Sequence, residues 1–309
     1  MPSLQVWSVT APVEAAVACA MGERALQRLR ATGEPVLVGR RVQGPAVLLG
    51  ARQRAGAVVK LPDCLSRGVG VYRRASLGPA AWVSDALWWT LCLPALTTLF
   101  ADARPETALN RNVRGILRGL ARTGVAATYP GRTFLSVRGA PAVLLGYDLL
   151  PDGALVLDAI AGLDAPVFVP EALRAPEEAA IDRTWGRSPV PLGVDAAAVA
   201  PVLDAVAEGV ARSGGREMVP WVDQLPTGAA AVTTAHDPVP ANMALRGAAA
   251  VPIGRVEAWG DAGALWLGGD AYGSAADLDR LGAVLAAGEA PPDDVLLEGA
   301  RVSDFLRCV

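Results

Sequence analysis

Apolar positions along this chain recur with two spacings, one near 3.6 residues and one of two. Residues 12–31 carry Val13, Ala16, Val17, Ala20, Met21, Leu26 and Leu29 on a roughly helical period, with Glu23, Arg24, Arg28 and Arg30 outside it. A helix starting near Pro12 is therefore expected, preceded by a short strand over residues 7–9. Residues 45–50, a run of Pro-Ala-Val-Leu-Leu-Gly, read as a buried strand followed by a polar turn over 51–56. A strand over 70–74, a Gly- and Pro-punctuated loop over 75–79 and a Trp-rich strand or strand pair over 80–90 come next. Pro105 and Glu106 suit the first turn of a helix that runs to Arg122 and stops at Gly124. Val113, Ile116, Leu117 and Leu120 share one face of that helix, and Arg111, Arg114, Arg118 and Arg122 share another.

The clearest local pattern is a meander: strand 134–137, turn Arg138-Gly139, strand 142–150, turn 151–153 and strand 154–160. A helix over 195–212 ends at Gly214-Gly215. Residues 216–246 hold four prolines between Pro220 and Pro240 and read as an irregular linker. Residues 247–309 read as a small module. It has a hairpin over 255–267, a turn over 268–270, a helix over 274–287 packing through Leu278, Leu281, Val284 and Leu285, and a last short element after Pro292. About 60 residues is marginal for independent folding, so this module is expected to dock on the first domain.

Composition narrows the chemistry. The chain has 309 residues, 52% hydrophobic, which is too apolar for disorder. No run of 18 apolar residues is present, so no membrane span is expected, and the opening MPSLQVWSVT lacks the features of a signal peptide. Cys19, Cys64, Cys92 and Cys308 show no C-x-x-C spacing and read as reduced thiols in cytoplasm. One histidine, His236, and scattered thiols make no metal set. Residues 1–150 hold 18 basic and 8 acidic side chains, a charge of +10, and the remainder carries −13. With an acidic total and one small Arg face, nucleic-acid binding is not expected. Neither a P-loop nor a dinucleotide-binding glycine fingerprint occurs. Asp148, Asp152, Asp158 and Asp164 are read at turns or strand edges, where solvation explains them as well as acid–base or Mg²⁺ chemistry.

Several stretches in order resemble the lipoate and biotin protein ligase superfamily. Val47-Leu-Leu-Gly-Ala-Arg-Gln53 is similar to its early strand and turn. Val71-Tyr-Arg-Arg-Ala-Ser-Leu-Gly-Pro-Ala-Ala-Trp82 resembles its substrate loop, R-R-x-S/T-G-G-G-A-V-Y/W-H. Arg138-Gly-Ala-Pro-Ala-Val-Leu-Leu-Gly146 resembles the hairpin carrying its lysine, and residues 153–159 fall where a strand reading L-x-H-G is expected. Residues 256–270, ending Leu267-Gly-Gly-Asp270, resemble the start of the accessory domain of lipoate ligases. The resemblance implies an α/β (α+β) fold: a mixed-sheet ligase-like domain over 1–215, a linker over 216–246 and a small C-terminal α/β accessory domain over 247–309.

The departures from that pattern govern the functional expectation. Leu77, Gly78 and Pro79 stand where the family has three glycines that let the backbone wrap an acyl-adenylate. Leu77 adds bulk and Pro79 lacks an N–H. The family lysine falls on Pro141 or, in the other register, Val143, and the L-x-H-G histidine is missing. Arg73, Arg74, Ser76, Gly78 and Trp82 are the ligand-binding candidates, although strand alternation sends only one of the two arginines inward. Lys60, the single lysine, and Cys64 are the residual catalytic candidates; Cys92 lies in a run too apolar to lower a thiol pKa. No cofactor and no metal are expected. The expected function is a non-catalytic, ligase-like scaffold or protein-interaction subunit, a pseudoenzyme, that binds a carrier protein, a complex subunit or an active relative. Arg111, Arg114, Arg118 and Arg122 are the candidate contacts for an acidic partner. The alternative is an acyl or cofactor transferase with atypical catalytic residues. A third reading is a module holding a small apolar ligand between Trp82, Trp88, Trp89 and Leu77.

Overall fold

The computed structural model describes residues 2–131, 133–228, 237–240, 242–261, 263–295, 297–298 and 300–309. The chain is a mixed α/β structure. Its first half runs β1 (Ser3–Val13), α1 (Ala15–Thr32), β2 (Val36–Leu49), α2 (Ala55–Val58), α3 (Leu61–Ser66), β3 (Gly70–Arg73), β4 (Ala81–Leu93), α4 (Ala108–Asn112) and α5 (Arg114–Arg122). The meander follows as β5 (Ala127–Thr128), β6 (Phe134–Val137), β7 (Ala140–Leu149) and β8 (Leu155–Gly162), then α6 (Pro176–Ala179), α7 (Val199–Ser213) and β9 (Glu217–Pro220). The last part comprises β10 (Ala244–Val251), β11 (Gly254–Gly260), β12 (Leu265–Gly269), β13 (Tyr272–Gly273), α8 (Ala275–Ala286), β14 (Leu297–Glu298) and α9 (Val302–Leu306). Among these residues, no helix is long and apolar enough to cross a membrane.

One eleven-stranded sheet is ordered β14-β13-β7-β8-β4-β2-β1-β9, with β3 paired to β2 and β5 to β6, and a separate antiparallel sheet is ordered β10-β11-β12. The central strands of the large sheet are buried on both faces, which is why they are nearly continuous apolar runs. Alternation assigns the faces. Val36, Val38, Val42, Trp88, Cys92, Val156 and Ile160 pack under α1 with Ala18, Met21 and Ala25. Leu37, Trp89, Leu91, Leu157 and Ala159 pack on the other face with Ile116 and Leu120 of α5 and Val206 and Val210 of α7. β10 to β12 enclose a smaller core with α8 and α9 through Val256, Leu267, Leu278, Leu281 and Phe305.

Several elements differ from the sequence expectation. The first strand spans eleven residues rather than three, and the central strand β2 begins at Val36 rather than Pro45. Residues 217–220, read as irregular, pair in parallel with β1 and extend the sheet. The helix expected over 105–122 is a 3-10 turn at Pro105–Thr107 followed by α4 and α5, kinked at Val113. There the Asn112 side chain donates to the Ala108 carbonyl, a local bond that competes with regular helix. Asp148 and Asp158 are not at solvated edges; both are buried inside strands.

The layer of α5 and α7 rests on glycine. A Cβ on Gly119 would lie 2.3 Å from the Val206 Cα, and one on Gly115 would lie 2.7 Å from the Val210 Cα. The helices touch backbone to backbone, with Gly209 opposite the Gly115 carbonyl. Replacing Gly119 with Val therefore forces the helices apart and should cost about 3 kcal/mol of unfolding free energy or more. Urea denaturation followed by far-UV circular dichroism checks this. A loss of only a few tenths would show that the crossing relaxes freely.

Candidate functional site

The candidate site lies where β3 passes into β4. Arg73 and Arg74 leave the strand in different directions. Arg73 turns to the loop after β2, where its Nη1 donates to the carbonyls of Gly50 at 2.9 Å and Gln53 at 2.6 Å. It fastens that turn, and burial pulls its pKa down. Arg74 enters the interior. Its Nη2 donates to the Pro79 carbonyl at 2.7 Å, its Nη1 to the Leu48 carbonyl at 3.2 Å and its Nε to Ser76 Oγ at 2.9 Å.

Asp158 of β8 is the centre of this interior. It accepts from Ser76 Oγ at 2.6 Å, from Trp88 Nε1 at 2.7 Å and from Thr90 Oγ1 at 2.5 Å. The Arg74 Nε stands 3.9 Å away. Thr90 in turn accepts from both terminal nitrogens of Arg40, at 3.0 and 3.1 Å. The Arg40 guanidinium lies 3.8 Å over the Trp88 ring. Its Nε has no partner among the described residues. Burial pulls the pKa of Arg40 down to about 10, opposed by the Asp158 charge, so it stays cationic at neutral pH. Two guanidiniums thus share one carboxylate in a place without solvent.

The loop itself is closed. Ser76 and Leu77 are fully buried, and Gly78, Pro79 and Ala80 are buried beside them. Two glycines mark how tightly it is held. A Cβ on Gly146 of β7 would lie 2.4 Å from the Leu77 carbonyl oxygen and 2.8 Å from Ser76 Oγ. One on Gly50 would lie 2.2 Å from the Gly78 carbonyl oxygen. At the strand end the Leu77 carbonyl, Ser76 Oγ and an Arg74 terminal nitrogen therefore pack directly over Gly146 of β7. Pro141 and Val143 are buried as well, Val143 in the core under α5 and α7.

The other sequence candidates are dispersed. Lys60 extends an exposed side chain, and its backbone N–H donates to Leu173. Cys64 is buried in the small core of α2, α3 and β3, and burial pushes its thiol up, with Asp63 adding to the effect. Burial likewise pushes Cys19 up to about 12 and raises Cys92 further. Trp88 and Trp89 face opposite sides of the sheet and Trp82 packs in the third core, so these residues and Leu77 do not line one apolar pocket. Arg111 pairs with Asp102 at 2.5 Å and Arg122 with Glu208 at 2.7 Å. Arg118 donates to Ser213 Oγ and Arg114 to Asn110. Opposite charge for this face comes in part from within the molecule. His236 lies outside the described residues. Among the described residues no group of three or more His, Cys, Asp or Glu side chains is placed to hold a metal.

Sequence reasoning missed Arg40 and misplaced Asp158. The signal was available in alternation: Arg40 falls on the same face of β2 as Val36, Val38 and Val42, and Asp158 on the same face of β8 as Val156 and Ile160. A charge on an otherwise apolar face needs a buried partner.

No protein-family model and no curated protein matches the chain. Solved structures share its fold. A putative lipoate protein ligase from T. acidophilum with bound lipoic acid is 15% identical, with a TM-score of 0.51 over 72% of this chain and 90% of its own. A bipartite lipoate protein ligase studied with its E2 lipoyl domain, from Thermoplasma acidophilum, is 17% identical, with a TM-score of 0.53 over 72% and 88%. A lipoate-protein ligase A bound with ATP is 15% identical, with a TM-score of 0.53 over 72% and 90%.

The unequal partners of the cluster give a test. Asp158→Asn leaves two buried cations without a counter-charge and should cost about 3–5 kcal/mol, whereas Arg40→Met removes the surplus cation and should cost less than about 1 kcal/mol or stabilise. Chemical denaturation of both variants decides. Equal losses would show that Arg40 is a required partner of the carboxylate.

Proposed function

We propose that this chain is a non-catalytic relative of the lipoate and biotin ligases that works by binding a protein and does not activate a carboxylic acid. The observation that supports this reading is the closed loop, with Leu77 on Gly146 and the Arg74–Ser76–Asp158–Thr90–Arg40 network filling the region that, by resemblance, would take an acyl-adenylate. An adenylate-forming site needs donors aimed at the charge that develops on the phosphate and carboxylate. Here the strand position of the family lysine carries Pro141 or Val143. The guanidinium of Arg74 is spent on Leu48, Pro79 and Ser76, and the only lysine is exposed at the start of α3.

A ligase fold must also recognise a carrier domain, and that capacity does not require the adenylate pocket. A copy with a closed pocket keeps the outer surface on which a carrier, a complex subunit or an active relative docks. The exposed side chains of Arg114 and Arg118 offer cations for an acidic partner there.

Each lost charge-stabilising donor lowers the rate by roughly two orders of magnitude or more, so the combined losses leave nothing measurable. Pyrophosphate exchange with lipoate, octanoate or biotin should equal a boiled control. An unmodified lipoyl-carrier domain incubated with the protein, lipoate and ATP should keep its mass. Turnover with any of the three acids overturns the proposal.

A further inference from the structure

The small antiparallel sheet ends in an open edge. In the order β10-β11-β12, β10 pairs only with β11 among the described residues. Antiparallel strands turn the N–H and C=O groups of successive residues to opposite sides. On β11, Arg255 turns both groups toward Asp270: its N–H donates to Asp270 Oδ2 at 2.7 Å, and its carbonyl accepts from the Asp270 N–H at 2.8 Å. Ala250 lies opposite Arg255, and Ala248 lies opposite Glu257. The N–H and C=O groups of Ala248 and Ala250 therefore face away from β11, and no backbone bond from the described residues reaches them there. Sheet edges are usually guarded by charge, proline or a bulge. β10 has its bulge between Leu245 and Gly247 and its one charge at Arg246, and the stretch Gly247-Ala-Ala-Ala-Val251 carries none of these guards.

Beside this edge is an apolar cavity of about 460 Å³. Ala249 and Val251 pack on the core shared with α8 and α9, so Ala248 and Ala250 show their methyl groups to the other face. There Pro176, Ala180 and Ile181 form the opposite wall. Three consecutive residues of β10, Ala248 to Ala250, line the cavity, so it reaches the open edge of the strand. Two charged side chains line it as well, Glu177 and Arg255. Arg255 is paired with Glu257 at 3.1 Å, which leaves Glu177 as the lining charge without an ion pair among the described residues.

We propose that β10 and this cavity form a docking site for an extended segment of a partner protein. The segment adds to β10 as a further strand, seats a bulky apolar side chain in the cavity and places a lysine or arginine beside Glu177. Main-chain hydrogen bonds to the edge supply affinity, and a cavity beside the edge selects the side chain that enters it. A second copy of this chain is a poorer occupant. Antiparallel pairing of β10 with its own copy needs a two-fold axis normal to the sheet, which keeps each face on its own side. The copy would then offer its Ala248 and Ala250 to the cavity, and two methyl groups leave it largely empty. A cavity in the size range of ligand sites takes a larger apolar group. None of these residues belongs to the Arg74–Asp158 network or to the arginine face of α5, so the proposal stands whether or not the chain activates a carboxylic acid.

Selection of a random dodecapeptide library displayed on phage against the full chain tests this, followed by fluorescence anisotropy with the selected peptides. The selected sequences should carry bulky apolar residues at alternate positions together with a lysine or arginine. Two variants localise the binding. Ala248→Pro deletes an outward N–H at a position where an edge strand accepts proline. Ala250→Leu fills the cavity and leaves the backbone groups in place. Each should weaken binding roughly tenfold or more. Glu177→Gln should reduce the preference for a basic peptide over its neutral analogue. Sedimentation equilibrium of the native chain should give a monomer. No enrichment over an unrelated protein, binding that neither A248P nor A250L weakens, or an unchanged charge preference in E177Q would overturn the proposal. So would a native dimer that A248P dissociates, which would assign the edge to a second copy. If A248P does not fold, A250L decides the matter alone.

Discussion

The buried carboxylate of Asp158 organises the polar cluster between β2, β4, β8 and the loop after β3. It takes hydrogen bonds from a serine, a tryptophan and a threonine on neighbouring elements, and the Arg74 guanidinium stands 3.9 Å from it while Arg40 reaches it through Thr90. Buried charge without a partner costs several kcal/mol, so everything around it must stay where it is. Ser76 keeps the loop after β3 folded inward, and that brings Leu77 onto Gly146 and Gly78 onto Gly50. Trp88 is fixed by its indole N–H and becomes the plate on which Arg40 lies. The closed state of the loop is thus a consequence of the hydrogen-bond requirements of the sheet.

The same logic ties the C-terminal sheet to the rest. The turn after β2 is braced from one side by Arg73, which fastens its carbonyls, and from the other by Asp270 and Glu257, which take Gln53 and Arg54. Arg183 joins the segment after α6 to both by pairing Glu178 with Asp270. Ion pairs such as Arg54 with Glu257 and Arg52 with Asp279 hold this contact, whereas around Asp158 two guanidiniums face one carboxylate. Both draw on the turn over residues 50–54, which explains why the loop and the C-terminal segment are organised together.

Much of the fold was legible in the chain. The meander over 134–160 appears as β6, β7 and β8, and the first helix lies at Ala15–Thr32 against an expected 12–31. What escaped has physical causes. The first part of β2 was hidden by Gly39, Arg40 and Arg41, since a buried cation breaks the apolar run by which a central strand is recognised. β9 is four residues long, fully exposed and ends in Pro220, so its pairing with β1 leaves no trace in local pattern. The site was legible in part. Arg74 and Ser76 were singled out by resemblance and do meet, but Asp158, which accepts from Ser76 beside Arg74, sits far along the chain and looked like a turn residue. Arg73 and Trp82 point elsewhere because adjacent strand residues diverge.

Under the proposed function, the region by Arg74 and Asp158 takes no acyl-adenylate. The most direct measurement is calorimetric titration of the native protein with a non-hydrolysable lipoyl-adenylate analogue. A closed loop gives no saturable heat. Saturable, one-to-one binding that is lost when Ser76 and Arg74 are changed to alanine would mean that the loop opens for a ligand, and would contradict the account.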